Sequence, residues 1–87
     1  MKKRKEEERY EREGTDIMRR ALKEREMTQV DLADKLGVMQ STVSMHFSRI
    51  RIGLDVFLNV LDTMEYDVIV VDRKTGEKKW KVIQKEE

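Results

Sequence analysis

Cysteine and proline are absent from the 87-residue chain, histidine appears once and glycine four times. Without thiols, and with a single imidazole, there are no ligands for a disulfide, for thiolate chemistry or for a zinc site built from Cys and His, so no metal and no cofactor is expected. Long apolar runs are lacking as well. The longest, Val68 to Val71, falls far short of a bilayer span, and the N-terminus is charged where a signal peptide would need an apolar stretch. The expected address is the cytoplasm, with no membrane partner. Neither sign of charge dominates, 19 Lys and Arg standing against 18 Asp and Glu. Carboxylates are thus plentiful, but no pair of them can be assigned to a cleft with the positioning that acid–base catalysis needs, and an enzyme is not expected.

What is present is a short chain, 43% charged and 38% hydrophobic, which suits a helical, surface-rich domain better than a sandwich or a disordered chain. A domain this small buries little of its surface, and a second copy commonly supplies the missing core. The charge also has a pattern. Between Asp34 and Asp55 there is no acid, while Lys35, Arg49 and Arg51 fall in that interval, so a nearly neutral chain carries one locally positive surface.

Residues 1–13 mix both charge signs around Tyr10, their one aromatic side chain, and read as a charged tail or frayed helix. The domain proper spans 14–65. Thr15 is placed to cap a first helix running to about Glu26, with Ile17, Met18, Ala21 and Leu22 on its apolar face. Thr28 and Asp31 have capping-box spacing, Leu32, Ala33 and Leu36 form one apolar face, and Gly37 supplies a left-handed stop. A third helix over about 40–48 turns Val43 and Phe47, with Ile50 beyond, to one side, and Gln40, Ser41, Ser44 and Met45 elsewhere. Leu54 to Met64 makes a fourth helix: Leu54, Phe57, Leu58 and Leu61 form one stripe, and Val56, Val60 and Met64 extend it around the cylinder. Residues 66–83 then read as a β-hairpin, β-branched from Tyr66 to Asp72 and alternating from Lys79 to Val82, with a short tail at 84–87. The fold class is mainly α, four helices with a C-terminal β-hairpin.

The stretch Thr28 to Ile50 (TQVDLADKLGVMQSTVSMHFSRI) resembles the helix-turn-helix of the lambda-repressor and Cro-like family, also called the XRE family. The matching marks are Gln29 opening the second helix, Ala33 at the crossing, Gly37 in the turn, Gln40, Ser41 and Thr42 opening the third helix, and Val43 facing inward. The resemblance implies a DNA-binding transcriptional regulator whose third helix enters the major groove. It places Gln40, Ser41 and Ser44 against base edges, Gln40 foremost because a glutamine amide can both donate to and accept from adenine, and Met45 beside a thymine methyl. Gln29 would touch phosphate or brace Gln40, Thr42 would offer its hydroxyl to the DNA backbone, and Arg49 and Arg51 would pair with phosphates. Two positions depart from the family pattern. Met39 stands where a Ser, Thr or Asp usually caps the third helix, and His46 where an aliphatic residue is common. A half-buried, hydrogen-bonded histidine is the expected role of His46, and gap-filling or interface contact that of Met18, Met27, Met45 and Met64.

The doubly apolar fourth helix and the unsupported hairpin both point to a homodimer, with Val56, Val60, Met64, Val68, Val70 and Trp80 at the interface and a pseudo-palindromic double-stranded operator as the partner. A repressor acting by occupancy is the leading expectation. Met64 to Val71 (MEYDVIVV) also resembles the strand that helps build the dimer in some XRE-type antitoxins, so an antitoxin with a toxin protein as second partner is one alternative. A protein-interaction module without DNA binding is the other.

Overall fold

A computed structural model of the chain describes residues 14–82. The expected charged segment at 1–13 and the tail at 84–87 lie outside them. Four helices and one hairpin follow in order: α1 (14–24), α2 (Gln29–Leu36), α3 (Gln40–Ser48), α4 (Leu54–Thr63), β1 (Val68–Val71) and β2 (Lys78–Val82). The mainly α class with a C-terminal hairpin is the one the sequence implies.

Three of the helices end in the same way. At the end of α2 the Gly37 N–H reaches the carbonyls of Ala33 and Asp34, the Val38 N–H returns to Ala33, and Gly37 sits at φ 73°. This is a Schellman ending, which uses a left-handed residue to satisfy carbonyls the helix leaves open. Helix α1 closes with Glu26 N–H to Lys23 O and Met27 N–H to Leu22 O, and α4 with Glu65 N–H to Asp62 O and Tyr66 N–H to Leu61 O. In those two the left-handed residue is a glutamate, Glu26 at φ 56° and Glu65 at φ 67°. The residue after each, Met27 and Tyr66, packs against the core and anchors the ending.

Helix α2 begins on the expected capping box. Thr28 Oγ1 accepts from the Asp31 N–H at 3.1 Å and Asp31 Oδ2 accepts from the Thr28 N–H at 3.0 Å. Helix α3 starts at Gln40 without a side-chain cap, because Met39 has no acceptor to offer.

The core is built from all four helices: Met18 and Ala21 of α1, Leu32 and Ala33 of α2, Val43 and Phe47 of α3, and Val60, Leu61 and Met64 of α4 and its end. Met27, Leu36, Ile52, Val56, Phe57, Tyr66 and Val68 pack around it. Ala33 is buried between α2 and α3, where a small side chain lets them cross closely. Several expectations are corrected here. Val60 and Met64, assigned from sequence to a dimer interface, are 1% and 3% exposed inside the chain's own core, so they have no surface left for a partner. Leu54 is 65% exposed at the start of α4 and does not join its buried stripe, and Ile50 lies beyond the end of α3, half-exposed. Thr15 is no cap: it lies within α1, buried among the helices.

The hairpin is antiparallel, with Val68 opposite Val82, Ile69 opposite Lys81, Val70 opposite Trp80 and Val71 opposite Lys78. It is two-stranded, and β1 starts at Val68, two residues later than the apolar pattern, because Tyr66 closes α4 instead of opening a strand; residue 83, where the pattern ends, lies outside the described residues.

Candidate nucleic-acid interface

Helix α3 is amphipathic in a particular way. Val43 and Phe47 are buried, Thr42 and His46 are half-buried, and Gln40, Ser41, Ser44 and Met45 are exposed along the opposite face. The structure therefore brings four of the sequence-derived site residues onto one outward strip. Arg49 joins them: its Nη2 lies 3.8 Å from the Met45 sulfur, so the guanidinium folds back along α3 instead of extending from the loop. Arg51 is exposed two residues farther on. Gln29 is half-buried in the first turn of α2, and no hydrogen bond joins it to Gln40 among the described residues, so the bracing role is not realised.

What holds α3 in place is largely invisible in the sequence. Its last carbonyls are taken by α1: Thr15 Oγ1 donates to Arg49 O at 3.0 Å, and Arg19 Nη2 donates to Phe47 O. Arg19 is itself steadied by Asp16, Nη1 to Oδ1 at 3.6 Å. A cation at a helix C-terminus also faces the negative end of the helix dipole. The other end of α1 closes on α4. Arg25 donates from Nε to Met64 O at 2.9 Å and from Nη2 to Glu65 O at 3.1 Å, and its guanidinium stacks over the Tyr66 ring, 4.1 Å from the centroid. Tyr66 in turn donates its hydroxyl to Glu24. Thus α1 fastens the end of α3 with one end and the end of α4 with the other. Sequence reasoning missed Thr15, Arg19 and Arg25 in these roles because their acceptors are main-chain carbonyls 28 to 40 positions away.

Two carboxyl and phenol groups feel these contacts. The Thr28 N–H and hydroxyl bonds hold the Asp31 carboxyl below the usual aspartate range, with Lys35 adding to the effect. Acceptance by Glu24 pushes the Tyr66 hydroxyl up, and burial adds to it. His46 departs from expectation: its Nδ1 is buried and has no hydrogen-bond partner among the described residues.

The strip carries no opposing charge. No acid lies between Asp34 and Asp55, and none stands in the first turn of α3, whose N–H groups are also left without a side-chain cap. Hydrogen-bonding side chains, an exposed thioether and Arg49 on an acid-free helix face are the chemistry that base edges and phosphates require. Residues 17–51 match the family model described as bacterial regulatory protein, arsR family. The match takes in α1 from residue 17 on, the helix-turn-helix of α2 and α3, and the loop to Arg51, less than half of the chain. It supports a helix-turn-helix DNA-binding regulator, and not specifically the lambda-repressor and Cro-like family. The matched model describes a regulatory protein rather than an enzyme. No curated protein and no solved structure matches the chain. No helix among the described residues is long and apolar enough to cross a membrane.

Proposed function

We propose that this chain is a cytoplasmic, sequence-specific transcriptional regulator of the lambda-repressor-like kind, a homodimer that represses by occupying a pseudo-palindromic operator. The observation that carries the reading is the exposed strip of α3: Gln40, Ser41, Ser44 and Met45 outward, Val43 and Phe47 inward, and no acid from 35 to 54. In this reading Gln40, Ser41, Ser44 and Met45 meet base edges in the major groove, while Gln29, Thr42, Arg49 and Arg51 meet phosphates. The placement of Arg49 against Met45 supports its share, since it puts a cation at the margin of the base-reading strip. A fourth helix packed behind α2, as the resemblance to the XRE family implies, supports that family over others with the same two-helix core.

The dimer is assigned to the outer part of the hairpin. Val70 and Trp80 are cross-strand partners on one face of the ribbon, 41% and 66% exposed, an apolar pair left largely open among the described residues. Val68 and Val56, both half-buried against the core, would border that contact. Two ribbons related by a two-fold axis would bury both tryptophans and set two α3 helices facing one side of a duplex.

The test is selection of bound sites from a random double-stranded pool. The reading expects enrichment of an inverted repeat with half-sites about one helical turn apart. Recovery of unrelated sequences at the input frequency would contradict it.

A further inference from the structure

The hairpin has a second face and a tip that the dimer reading leaves unused. Cross-strand partners share a face, so Val68, Val70, Trp80 and Val82 lie on one side and Ile69, Val71, Lys78 and Lys81 on the other. The register shift between Val70 and Val71 makes Lys79 the extra residue of β2, a bulge close to the turn. From 72 to 79 the chain carries four cations against two carboxylates.

Those carboxylates are already committed. Asp72 Oδ1 accepts from the Lys74 N–H at 2.9 Å, and Glu77 pairs with Lys79 at 3.4 Å. Nearer the base of the ribbon, Asp67 pairs with Lys81 at 3.8 Å. The turn itself is closed by its own backbone: the Gly76 N–H bonds Asp72 O at 2.7 Å, the Asp72 N–H bonds Glu77 O at 2.9 Å, and Thr75 Oγ1 accepts from the Glu77 N–H at 3.1 Å. Gly76, at φ 76°, meets the left-handed geometry this closure needs. Arg73, Lys74 and Lys78 remain, exposed on an ordered tip and without an ion pair among the described residues. Three neighbouring cations repel one another, and a two-stranded ribbon is narrow enough to lie along a groove of a duplex.

The geometry points to the hairpin tip as a second DNA contact, in which Arg73, Lys74 and Lys78 take the phosphate backbone of duplex flanking the sequence read by α3. This inference rests on the DNA-binding reading above. Its recognition is by charge alone: lysine and arginine heads against phosphodiester oxygens add affinity and salt dependence but no base preference. The apolar face stays free for the second copy, so one ribbon serves both roles.

The full chain and its R73Q/K74Q/K78Q variant are titrated by fluorescence anisotropy over a range of NaCl, against a duplex carrying the selected repeat with about ten base pairs of flank on each side and against one trimmed to the repeat. On the long duplex the slope of log K against log salt is expected to become shallower by about 2 to 3 per protomer in the variant, at about 0.9 for each phosphate that the tip no longer neutralises. Its base preference is expected to stay that of the parent, and the gap between the two proteins to narrow on the trimmed duplex. Equal slopes on the long duplex overturn the inference and leave the DNA-binding reading intact. No binding by the parent protein to either duplex overturns both. Acetylation of Lys74 and Lys78 in the parent protein, followed by mass spectrometry, reads the same contact without a variant. Protection by the long duplex supports the assignment. Unchanged acetylation there, or protection only by polyglutamate, overturns it, the second result assigning the tip to an acidic protein surface.

Discussion

Helices α1 and α4 both end on a glutamate held in the left-handed region, Glu26 at φ 56° and Glu65 at φ 67°, where α2 uses Gly37 at φ 73°. An L side chain in that region costs roughly 1–2 kcal/mol through its Cβ, whereas glycine gives back about 0.5–1 kcal/mol through the freedom it has when unfolded. The difference predicts that Glu26→Gly and Glu65→Gly each stabilise the fold by about 0.5–1 kcal/mol. Neither glutamate side chain makes a hydrogen bond or ion pair among the described residues, so nothing offsets the gain. The Glu65 carbonyl that Arg25 bonds belongs to the main chain and survives the substitution. The two sites close different helices, so the effects should add, and the double variant should melt roughly 4–16 °C higher for a domain of this size. Gly37→Ala supplies the control. A Cβ there meets nothing within 4 Å, so its cost of about 1 kcal/mol comes from the backbone alone. Urea unfolding followed by circular dichroism gives all four midpoints. Loss of stability in both glutamate variants, or none from Gly37→Ala, would refute the reasoning.

Thr15→Val keeps the shape of a buried side chain but removes its bond to Arg49 O, and should cost about 1–2 kcal/mol in the same urea assay, with weaker DNA binding as the end of α3 loosens. Arg25→Ala withdraws two bonds from the carbonyls that close α4, one of them partly buried; it should cost about 1–2 kcal/mol, a loss that an unchanged urea midpoint would contradict. Asp31 has a lowered carboxyl, so its capping contribution is complete above the ordinary aspartate range and is lost as pH falls through the folded value; the gap in midpoint between the parent protein and Asp31→Asn should close in acid and be widest near neutrality. Tyr66 has the opposite sign: its raised hydroxyl contributes fully below the usual tyrosine range and the contribution is lost as pH rises through the folded value, so Tyr66→Phe should flatten the alkaline limb of a pH-dependent melt.

The parts of the fold that rest on local chemistry were legible in the sequence. Thr28 and Asp31 satisfy each other within one turn, Gly37 marks a stop that any helix of this kind would need, and the 3.6-residue spacing of Val43 and Phe47 orients α3 before any tertiary contact is known. The outward strip of Gln40, Ser41, Ser44 and Met45 follows from the same spacing. What stayed hidden depends on partners far along the chain. Glutamate gives no sign of a left-handed backbone, so Glu26 and Glu65 could not be singled out, and α1 ended two residues before the point its pattern suggested. Arg19 and Arg25 look like surface charge until the carbonyls they reach are in place. Val60 and Met64 look surplus to one apolar stripe, and only the closure of α1 and Tyr66 over α4 shows that a single chain buries them. In sequence Arg49 stands just past the end of α3. Its approach to Met45 places it on the helix face, a detail that side-chain packing decides.

The central claim is that α3 reads base edges through Gln40. Its most direct test is the relative affinity of the parent protein and of Gln40→Ala for every single-base variant of the selected operator, measured in parallel with Arg49→Ala. The account predicts that Gln40→Ala loses about 1–3 kcal/mol on the best site and its preference at one base pair in each half-site, while Arg49→Ala weakens all sequences by a similar factor. The same uniform loss from both substitutions, with every base preference intact, would contradict it.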